Sequence, residues 1–216
     1  MTAISFVYFD VGGVAIKDFS DTNQWERTLD YLGIPRSLQS EVNKIFKEKD
    51  DAMCEGKFHL DEYIPLLNHR LNLAIPNGTL LQKYVIDNFA VNKGIHELIA
   101  ETKRKVKVGL LTDMYKDMFN DILKKGLLPP TNWDVIIDSS VVGVRKPYEE
   151  IYKIAEEMAG VKPEEILFID NKQKNLDPAV KRGWQTHRYD SSNYRLANQL
   201  LAEFLQNNIY KSSQTS

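Results

Sequence analysis

The chain has 216 residues, of which 43% are hydrophobic, so it can bury one core of average size or a core with a small insertion. Its 28 basic and 30 acidic residues nearly balance, which excludes a broad positive field that would attract a nucleic acid or an anionic membrane surface. The one cysteine, Cys54, excludes an internal disulfide, and the sequence lacks the roughly 18 consecutive apolar residues of a membrane span, so we expect a cytoplasmic protein.

The first predicted strand, residues 5–9, is a run of apolar and aromatic residues that is followed directly by Asp10. A carboxylate at the C-terminal end of a buried strand points into the crevice where open α/β sheets bind ligands. Gly12 and Gly13 follow, and their lack of a side chain lets backbone groups approach a small anion closely. The pattern favours a chemical role for Asp10, although an acid that merely caps a turn gives the same pattern.

Residues 19–90 separate the first two predicted strands by about twice the length that one crossover helix needs. Apolar residues in this segment recur at three- and four-residue spacing, with breaks at Gly33 and Pro76. The pattern predicts an all-helical cap at 19–90, inserted into a core of residues 1–18 and 91–210, with a disordered tail at 211–216. The predicted cap helices are 23–32, 38–52, 60–71 and 79–89.

Further β-rich runs occur at 106–112, 135–138, 166–170 and around 185–189, most of them separated by helical periodicity. This alternation predicts an α/β fold with a parallel sheet flanked by helices. Thr112 ends the second strand, where a hydroxyl group and a helix N-terminus could hold an anionic oxygen, although an ordinary N-cap threonine is equally compatible. Lys146 precedes a helix that starts near residue 148, where its charge opposes the helix dipole, so we expect it to pair with an anion; Arg145 is the alternative cation.

Asp170 ends the fourth strand, and Asn171 and Asn175 follow it. The strand ends therefore carry, in order, an acid, a hydroxyl group, a cation and a second acid. Packing of the core alone does not explain why these residue types occur at the strand ends. It indicates a site for phosphoryl transfer, or for substitution at carbon, with Asp10 as the nucleophile.

These residues resemble the four motifs of the haloacid dehalogenase-like (HAD) hydrolases, which occur in this order along nearly the whole chain. The matching segments are residues 9–14, 110–112, 145–147 and 168–175. Residues 54–62 are similar to the branch that contains glucose-1-phosphate phosphatases and the N-terminal phosphatase domain of soluble epoxide hydrolase. The resemblance implies a Rossmann-like core with a small helical cap inserted after the first motif.

By this resemblance, Asp10 attacks phosphorus and becomes a transient aspartyl phosphate, while Thr112 and Lys146 stabilise charge on the transferring group. The metal it implies is Mg²⁺. Its implied ligands are Asp10, the backbone carbonyl of Gly12, and Asp170 or Asn171. The residues expected to contact the substrate are Gly12, Gly13, Asp113, Asn175 and Glu55.

The chain departs from the family pattern at Gly12, where phosphatases of the family usually carry a second aspartate that protonates the leaving group. Loss of a proton donor costs on the order of 10²–10⁴ in rate. Asp18 and Glu55 are the acids that could take over, and the sequence does not choose between them.

A second departure concerns the metal. Asn171 stands where related members commonly carry an acid, and an amide oxygen brings no charge, so we expect weaker magnesium binding unless Asp170 turns in. Asp113 replaces an asparagine that often follows the threonine, and it adds negative charge near a phosphate site.

Three functions fit these residues. The first is a magnesium-dependent phosphatase of a small phosphorylated metabolite. The second is a metal-independent dehalogenase, against which Gly12 and Asp170 argue, because the family's dehalogenases usually have an aromatic residue and no acid at these positions. The third is a catalytically impaired binding or regulatory protein, consistent with Gly12 and Asn171. Neither a nucleic acid nor a membrane is an expected partner, and the sequence leaves substrate identity and oligomeric state open.

Overall fold

The computed structural model describes residues 2–76 and 78–210, so the tail predicted at 211–216 lies outside the described residues. The strands in chain order are β1 (Phe6–Phe9), β2 (Ile16–Lys17), β3 (Ala90–Val91), β4 (Lys107–Thr112), β5 (Val135–Asp138), β6 (Ile166–Asp170) and β7 (Gln185–Arg188). Five of them form a parallel sheet in the order β5-β4-β1-β6-β7, while β2 and β3 pair antiparallel. The predicted parallel α/β sheet is confirmed.

Strand β1 lies in the middle of the sheet, and both of its faces are covered by hydrophobic side chains. Phe6 and Tyr8 belong to the hydrophobic core on one side of the sheet, while Val7 and Phe9 belong to the larger core on the other side. All four side chains are fully buried, as expected for a strand in the middle of a parallel sheet. The residue that follows β1 is therefore held by a rigid support on both sides.

The helices in chain order are α1 (Gln24–Tyr31), α2 (Arg36–Cys54), α3 (Tyr63–Leu71), α4 (Leu81–Asp87), α5 (Lys93–Lys103), α6 (Met118–Lys124), α7 (Ser139–Val142), α8 (Glu149–Ala159), α9 (Gln173–Lys181) and α10 (Tyr194–Leu205). The first four lie between β2 and β3. None of the helices in the described ranges is long and apolar enough to cross a lipid bilayer.

The predicted helix at 60–71 is divided into a 3₁₀ turn, Leu60–Glu62, followed by α3. The side chain of His59 accepts a hydrogen bond from the Asp61 N–H, and the Glu62 carboxylate accepts one from the His59 N–H. This capping box ends the extended chain at His59 and starts the turn.

The order of the sheet brings the ends of β1, β4 and β6 together. The chain runs outward from β1 through β4 to β5, then returns to β6 on the other side of β1 and runs outward to β7. Such a reversal is a topological switch point, where the loops at the carboxyl ends of the strands separate and leave a crevice. The Asp10 N–H donates to the Ile169 carbonyl, which fixes the first of these loops against β6.

Candidate active site

The buried ammonium group of Lys146 lies between two carboxylates. Its Nζ atom is 3.0 Å from Asp10 Oδ1 and 2.7 Å from Asp170 Oδ2, and it also donates to the Leu111 carbonyl at 3.0 Å. Burial alone would lower the pKa of Lys146, but the neighbouring acids, Asp10 first, outweigh it, and the pKa lies above its usual value. The site therefore holds a permanent positive charge at the carboxyl ends of the strands.

Asp10 is almost fully buried at the end of β1. Burial raises the pKa of its carboxyl group, and the charge of Lys146 opposes that shift. The Val11 N–H donates to Asp10 Oδ1 at 2.8 Å, and the Ala15 N–H donates to the backbone carbonyl of Asp10. Backbone N–H groups of the turn after β1 thus hold Asp10 in place.

Both carboxylate oxygens of Asp170 accept hydrogen bonds from groups of the protein. Besides Lys146, the Asn175 side-chain amide donates to both of its oxygens, at 3.0 and 3.2 Å, and the Lys172 N–H donates to Oδ1 at 2.7 Å. Both oxygens are engaged, so the carboxylate is anchored in the fold and does not turn toward a ligand. Its effect on the site is to hold the ammonium group of Lys146.

The amide group of Asn171 has a fixed orientation. Its Nδ2 donates to Ser191 Oγ at 3.1 Å, and the Ser191 hydroxyl in turn donates to the Asp21 carboxylate. Because Ser191 gives its proton to Asp21, it presents an acceptor to Asn171, and the amide must direct its N–H group there. The Oδ1 atom of Asn171 is left buried without a partner among the described residues.

Of the other buried polar atoms that lack a partner within the described part of the chain, two lie close to Asp170 or at the end of β4. They are Thr112 Oγ1 and Asn175 Oδ1. Thr112 is the last residue of β4, and Asn175 holds Asp170, so both atoms belong to the same group of strand ends. A buried polar atom without a partner costs free energy that a bound ligand can recover.

The residues present fit a magnesium ion, with a donor set of low charge. Among residues 2–76 and 78–210, no group of three or more His, Cys, Asp and Glu side chains is placed to hold a metal. The candidate oxygens are the Asp10 carboxylate, whose Oδ1 also faces the Val11 N–H and Lys146, and Asn171 Oδ1, which lacks a partner in the described residues; the resemblance adds the Gly12 carbonyl. Magnesium accepts such hard oxygen donors and completes its shell with water and phosphate oxygens.

Asp113 and Arg145 form a charge network beside this site. The Lys146 N–H donates to Asp113 Oδ1 at 2.9 Å, and Asp113 Oδ2 is 3.6 Å from the Arg145 guanidinium group. Arg145 also bonds Asp50 at 2.6 Å and Asp51 at 3.0 Å, both on α2. The negative charge of Asp113 is thus balanced, and Arg145 pairs with the helical segment, leaving Lys146 as the cation at Asp10.

Asp18 lies directly over Gly12. A Cβ atom built on Gly12 would be 2.5 Å from Asp18 Oδ2 and 3.3 Å from its Cγ. The Ser20 N–H donates to the other oxygen, Oδ1, at 2.9 Å, and burial raises the pKa of the Asp18 carboxyl group. Glu55, the other acid that the sequence offered, pairs with Lys57 at 2.6 Å.

A cavity of about 350 Å³ separates the strand ends from the helices of residues 24–87. Of the residues expected to contact the substrate, Gly12 and Asp113 line it, whereas Gly13, Asn175 and Glu55 do not. The charged lining residues are Asp18, Asp50, Asp113, Arg145, Lys172 and Lys174. The aromatic lining residues are Phe19, Trp25, Phe46, Phe89 and Tyr115.

Sequence reasoning missed Lys172, although it lies within the fourth motif. Its charge lowers the pKa of both Asp10 and Asp18, against the larger effect of burial. It also lines the cavity, so it adds positive charge where an anionic substrate would enter. A lysine two residues after an acid at the end of a predicted strand was the available signal.

Comparison with known sequences gives one family and a set of distant relatives. The family model for haloacid dehalogenase-like hydrolases matches residues 6–181. Bifunctional epoxide hydrolase 2 of Rattus norvegicus is 24% identical over 200 residues, and that of Sus scrofa is 25% identical over 207 residues. Each match covers 85% of this chain and 36% of the relative, so the chain spans about a third of the length of these curated relatives.

Solved structures share the fold at low sequence identity. A HAD family enzyme of Bacteroides thetaiotaomicron, in complex with magnesium, has a TM-score of 0.73 and 18% identity, and the match covers 89% of this chain and 96% of that one. A HAD-like family hydrolase from Porphyromonas gingivalis has a TM-score of 0.70 and 19% identity, with 95% and 99% covered. The L-2-haloacid dehalogenase of Xanthobacter autotrophicus has a TM-score of 0.60 and 20% identity, with 94% and 83% covered.

Proposed function

The chain belongs to the haloacid dehalogenase-like hydrolases, and on that premise we propose that it is a magnesium-dependent phosphatase of a small phosphorylated metabolite. The observation that carries the proposal is the position of Lys146 between Asp10 and Asp170, next to a threonine hydroxyl group without a partner in the described residues. A nucleophile, a fixed cation and a free hydroxyl group at one switch point suit an anionic phosphoryl group. The similar enzyme of Bacteroides thetaiotaomicron was crystallised with magnesium and inorganic phosphate, which supports the same chemistry.

In the proposed reaction, an oxygen of Asp10 attacks phosphorus and the bond from phosphorus to the leaving oxygen breaks. Asp10 then carries the phosphoryl group as an aspartyl phosphate, which water hydrolyses. Lys146 offers its charge to the phosphoryl oxygens, and Thr112 donates its hydroxyl hydrogen to one of them. Asp170, held by Asn175, keeps Lys146 in position throughout.

The residues that would hold the magnesium ion are Asp10, Asn171 through Oδ1, and Gly12 through its carbonyl oxygen. When bound, magnesium would neutralise charge on the phosphoryl oxygens and orient them toward the nucleophile. Since only one of these ligands carries a charge, we expect a low affinity for magnesium.

We further propose that residues 19–90 act as a cap that selects the leaving group. Trp25 and Phe46, whose ring centroids are 4.5 Å apart, contribute aromatic surface to the cavity from this segment. Because aromatic and aliphatic side chains line much of the cavity, the proposal favours phosphate esters of alcohols with an apolar body.

The test is hydrolysis of 4-nitrophenyl phosphate by purified protein, with magnesium and with excess EDTA. Asp10→Asn keeps the shape of the side chain and removes the nucleophile, so it should abolish the turnover. Loss of turnover in both Asp10→Asn and EDTA supports the phosphatase. Turnover that survives Asp10→Asn would contradict it, whatever the metal.

A second candidate is a binding protein that keeps the fold without efficient catalysis. The neutral metal donors at Gly12 and Asn171 favour it. In that case the wild type would hydrolyse no more 4-nitrophenyl phosphate than Asp10→Asn, yet would bind magnesium and inorganic phosphate in calorimetry. Chloropropionate without metal is the matching test for a dehalogenase, and halide release that depends on Asp10 would favour that reaction instead.

A further inference from the structure

The first motif lacks its second acid at Gly12, and the structure fills the same space with another carboxylate. We infer that Asp18 is the proton donor to the leaving group and the base for the second step, an inference that rests on the proposed phosphatase function. The motif would then have a complete pair of acids, with the second one supplied from six residues further along the chain.

The position of Asp18 carries the inference. Its Oδ2 is 2.5 Å from the point where a Cβ atom at Gly12 would lie, so the carboxyl group stands where a side chain at position 12 would begin. Asp18 also lines the cavity, whereas Asp10 does not and is buried against Lys146. A group at this place faces the cavity that would receive the leaving oxygen.

The backbone explains how a residue six positions away returns to Gly12. The Gly13 N–H donates to the Ile16 carbonyl, and the Ile16 N–H donates to the Val11 carbonyl, so the chain folds back on itself directly after β1. Strand β2 continues from this turn and ends at Lys17, which brings Asp18 above the turn. With glycine at position 12 the carboxyl group fits there, whereas any Cβ atom at this position would force it to move.

The other acids near the cavity are committed to cations or backbone donors. Asp113 accepts from the Lys146 N–H and faces Arg145, and Asp50 bonds Arg145. Glu55 pairs with Lys57 and does not line the cavity. Asp18 also accepts from a backbone donor, the Ser20 N–H, at Oδ1, but it forms no ion pair among the described residues and directs Oδ2 toward Gly12.

The two proton transfers balance the reaction. In the first step Asp10 forms its bond to phosphorus, the leaving oxygen takes the electron pair of the broken bond, and the Asp18 carboxyl group gives that oxygen its proton. In the second step the Asp18 carboxylate takes a proton from water as the water oxygen attacks phosphorus. The bond from phosphorus to Asp10 breaks, and both acids return to their starting state.

The experiment compares two substrates that differ in their need for a proton. The leaving group of 4-nitrophenyl phosphate departs as a stable anion, whereas that of 2-phenylethyl phosphate must be protonated. We expect Asp18→Asn to lower kcat/KM for 2-phenylethyl phosphate by roughly 10²–10⁴ and that for 4-nitrophenyl phosphate by less than about tenfold. Asp30→Asn, at an exposed acid of α1 outside the cavity lining, is the matched control and should change neither value.

A second experiment moves the acid from position 18 to position 12. In Asp18→Gly the space over Gly12 is open, so adding Gly12→Asp should recover much of the lost activity on 2-phenylethyl phosphate. Gly12→Asp alone places two carboxyl groups in one space and should bring no gain. Equal losses on both substrates in Asp18→Asn, or no loss on either, would overturn the inference while leaving the phosphatase intact. Absence of any turnover that depends on Asp10 would overturn the proposed function, and the inference with it.

Discussion

At the scale of single residues, the site is prepared for a ligand by polar atoms that the fold leaves without partners. Asn171 Oδ1, Thr112 Oγ1 and Asn175 Oδ1 are buried and have no hydrogen-bond partner among the described residues. Most buried polar atoms in folded proteins are bonded, so three exceptions at adjacent strand ends are informative. They indicate where the protein has kept donors and acceptors free at a cost in stability.

The relay from Asp21 through Ser191 to Asn171 gives a prediction at this scale. Ser191→Ala removes the acceptor that orients the amide group, so Asn171 can turn Oδ1 away from the metal position. We expect magnesium affinity in calorimetry to fall by about tenfold, as for other residues that orient metal ligands.

Ser192→Ala is the matched control for this relay, because the neighbouring hydroxyl group bonds only Asp190 in the described structure. Its magnesium affinity should equal that of the wild type. Equal affinities in both variants would mean that Ser191 does not orient the ligand.

Sequence reasoning reached the residues whose position follows from a strand end. Asp10, Thr112 and Asp170 stand at the carboxyl ends of three neighbouring strands, and the hydrophobic pattern alone located those ends. It could not find which hydrogen bonds leave Asp170 engaged and Asn171 Oδ1 free, since the partners come from distant parts of the chain. The orientation of the Asn171 amide group depends on tertiary contacts, which the local sequence does not show.

At the scale of elements, the strands of the parallel sheet agreed with the sequence pattern more closely than the helices of the inserted segment, whereas the two-residue strands β2 and β3 were not predicted. Strands β5 and β6 have the predicted bounds, because a short apolar run between polar residues leaves little choice. Helix α2, predicted at 38–52, begins at Arg36 and extends to Cys54. Asp50 and Asp51, inside both the predicted and the observed helix, pair with Arg145, a contact between segments far apart in sequence.

Arg145→Gln tests whether that contact holds α2 on the core. The substitution leaves Asp50, Asp51 and Asp113 close together without their shared cation, and their repulsion should loosen the C-terminal part of α2. We expect faster amide hydrogen exchange there and a free energy of unfolding lower by about 2 kcal/mol, less than for a fully buried pair because Asp51 is exposed.

Arg182→Gln serves as the control for Arg145, because Arg182 pairs with Glu149 and Glu156, both on α8, away from α2. Exchange in α2 should not change in this variant. Unchanged exchange in Arg145→Gln would show that packing alone holds α2.

At the scale of the whole molecule, the candidate active site and the folding core share their supports. The strand that ends at Asp10 lies in the middle of the sheet, and Lys146 reaches it from a loop that also carries Arg145. Ligand binding at this point should therefore stabilise the entire fold. The family's general pattern could be predicted from the sequence, but the meeting of Asp18 with Gly12 could not, since it depends on how the turn after β1 folds back.

Thermal unfolding of Thr112→Val tests this coupling. Valine has the same shape without the hydroxyl group, so the ligand-free variant should gain about 1 kcal/mol by losing a buried polar atom that has no partner in the described residues. With magnesium present throughout, the addition of inorganic phosphate at about 100 times its dissociation constant should stabilise the wild type by about 2.7 kcal/mol. At the same concentrations Thr112→Val should gain clearly less, because it has lost a donor to phosphate.

The comparison also has an outcome that would refute it. A variant less stable than the wild type without ligand would mean that the hydroxyl group is bonded in the protein itself. Equal stabilisation by phosphate would mean that Thr112 does not contact the anion.

The carboxyl group over Gly12 couples two positions of the sequence in their tolerance of mutation. Restoring the usual family acid by Gly12→Asp puts its Cβ atom 2.5 Å from Asp18 Oδ2, so the Asp18 carboxyl group has to leave that position. Loss of Asp18 first leaves the chain with neither acid in that space. Under the proposed mechanism the effect of a substitution at either position therefore depends on the residue at the other, and the two positions should change together in evolution.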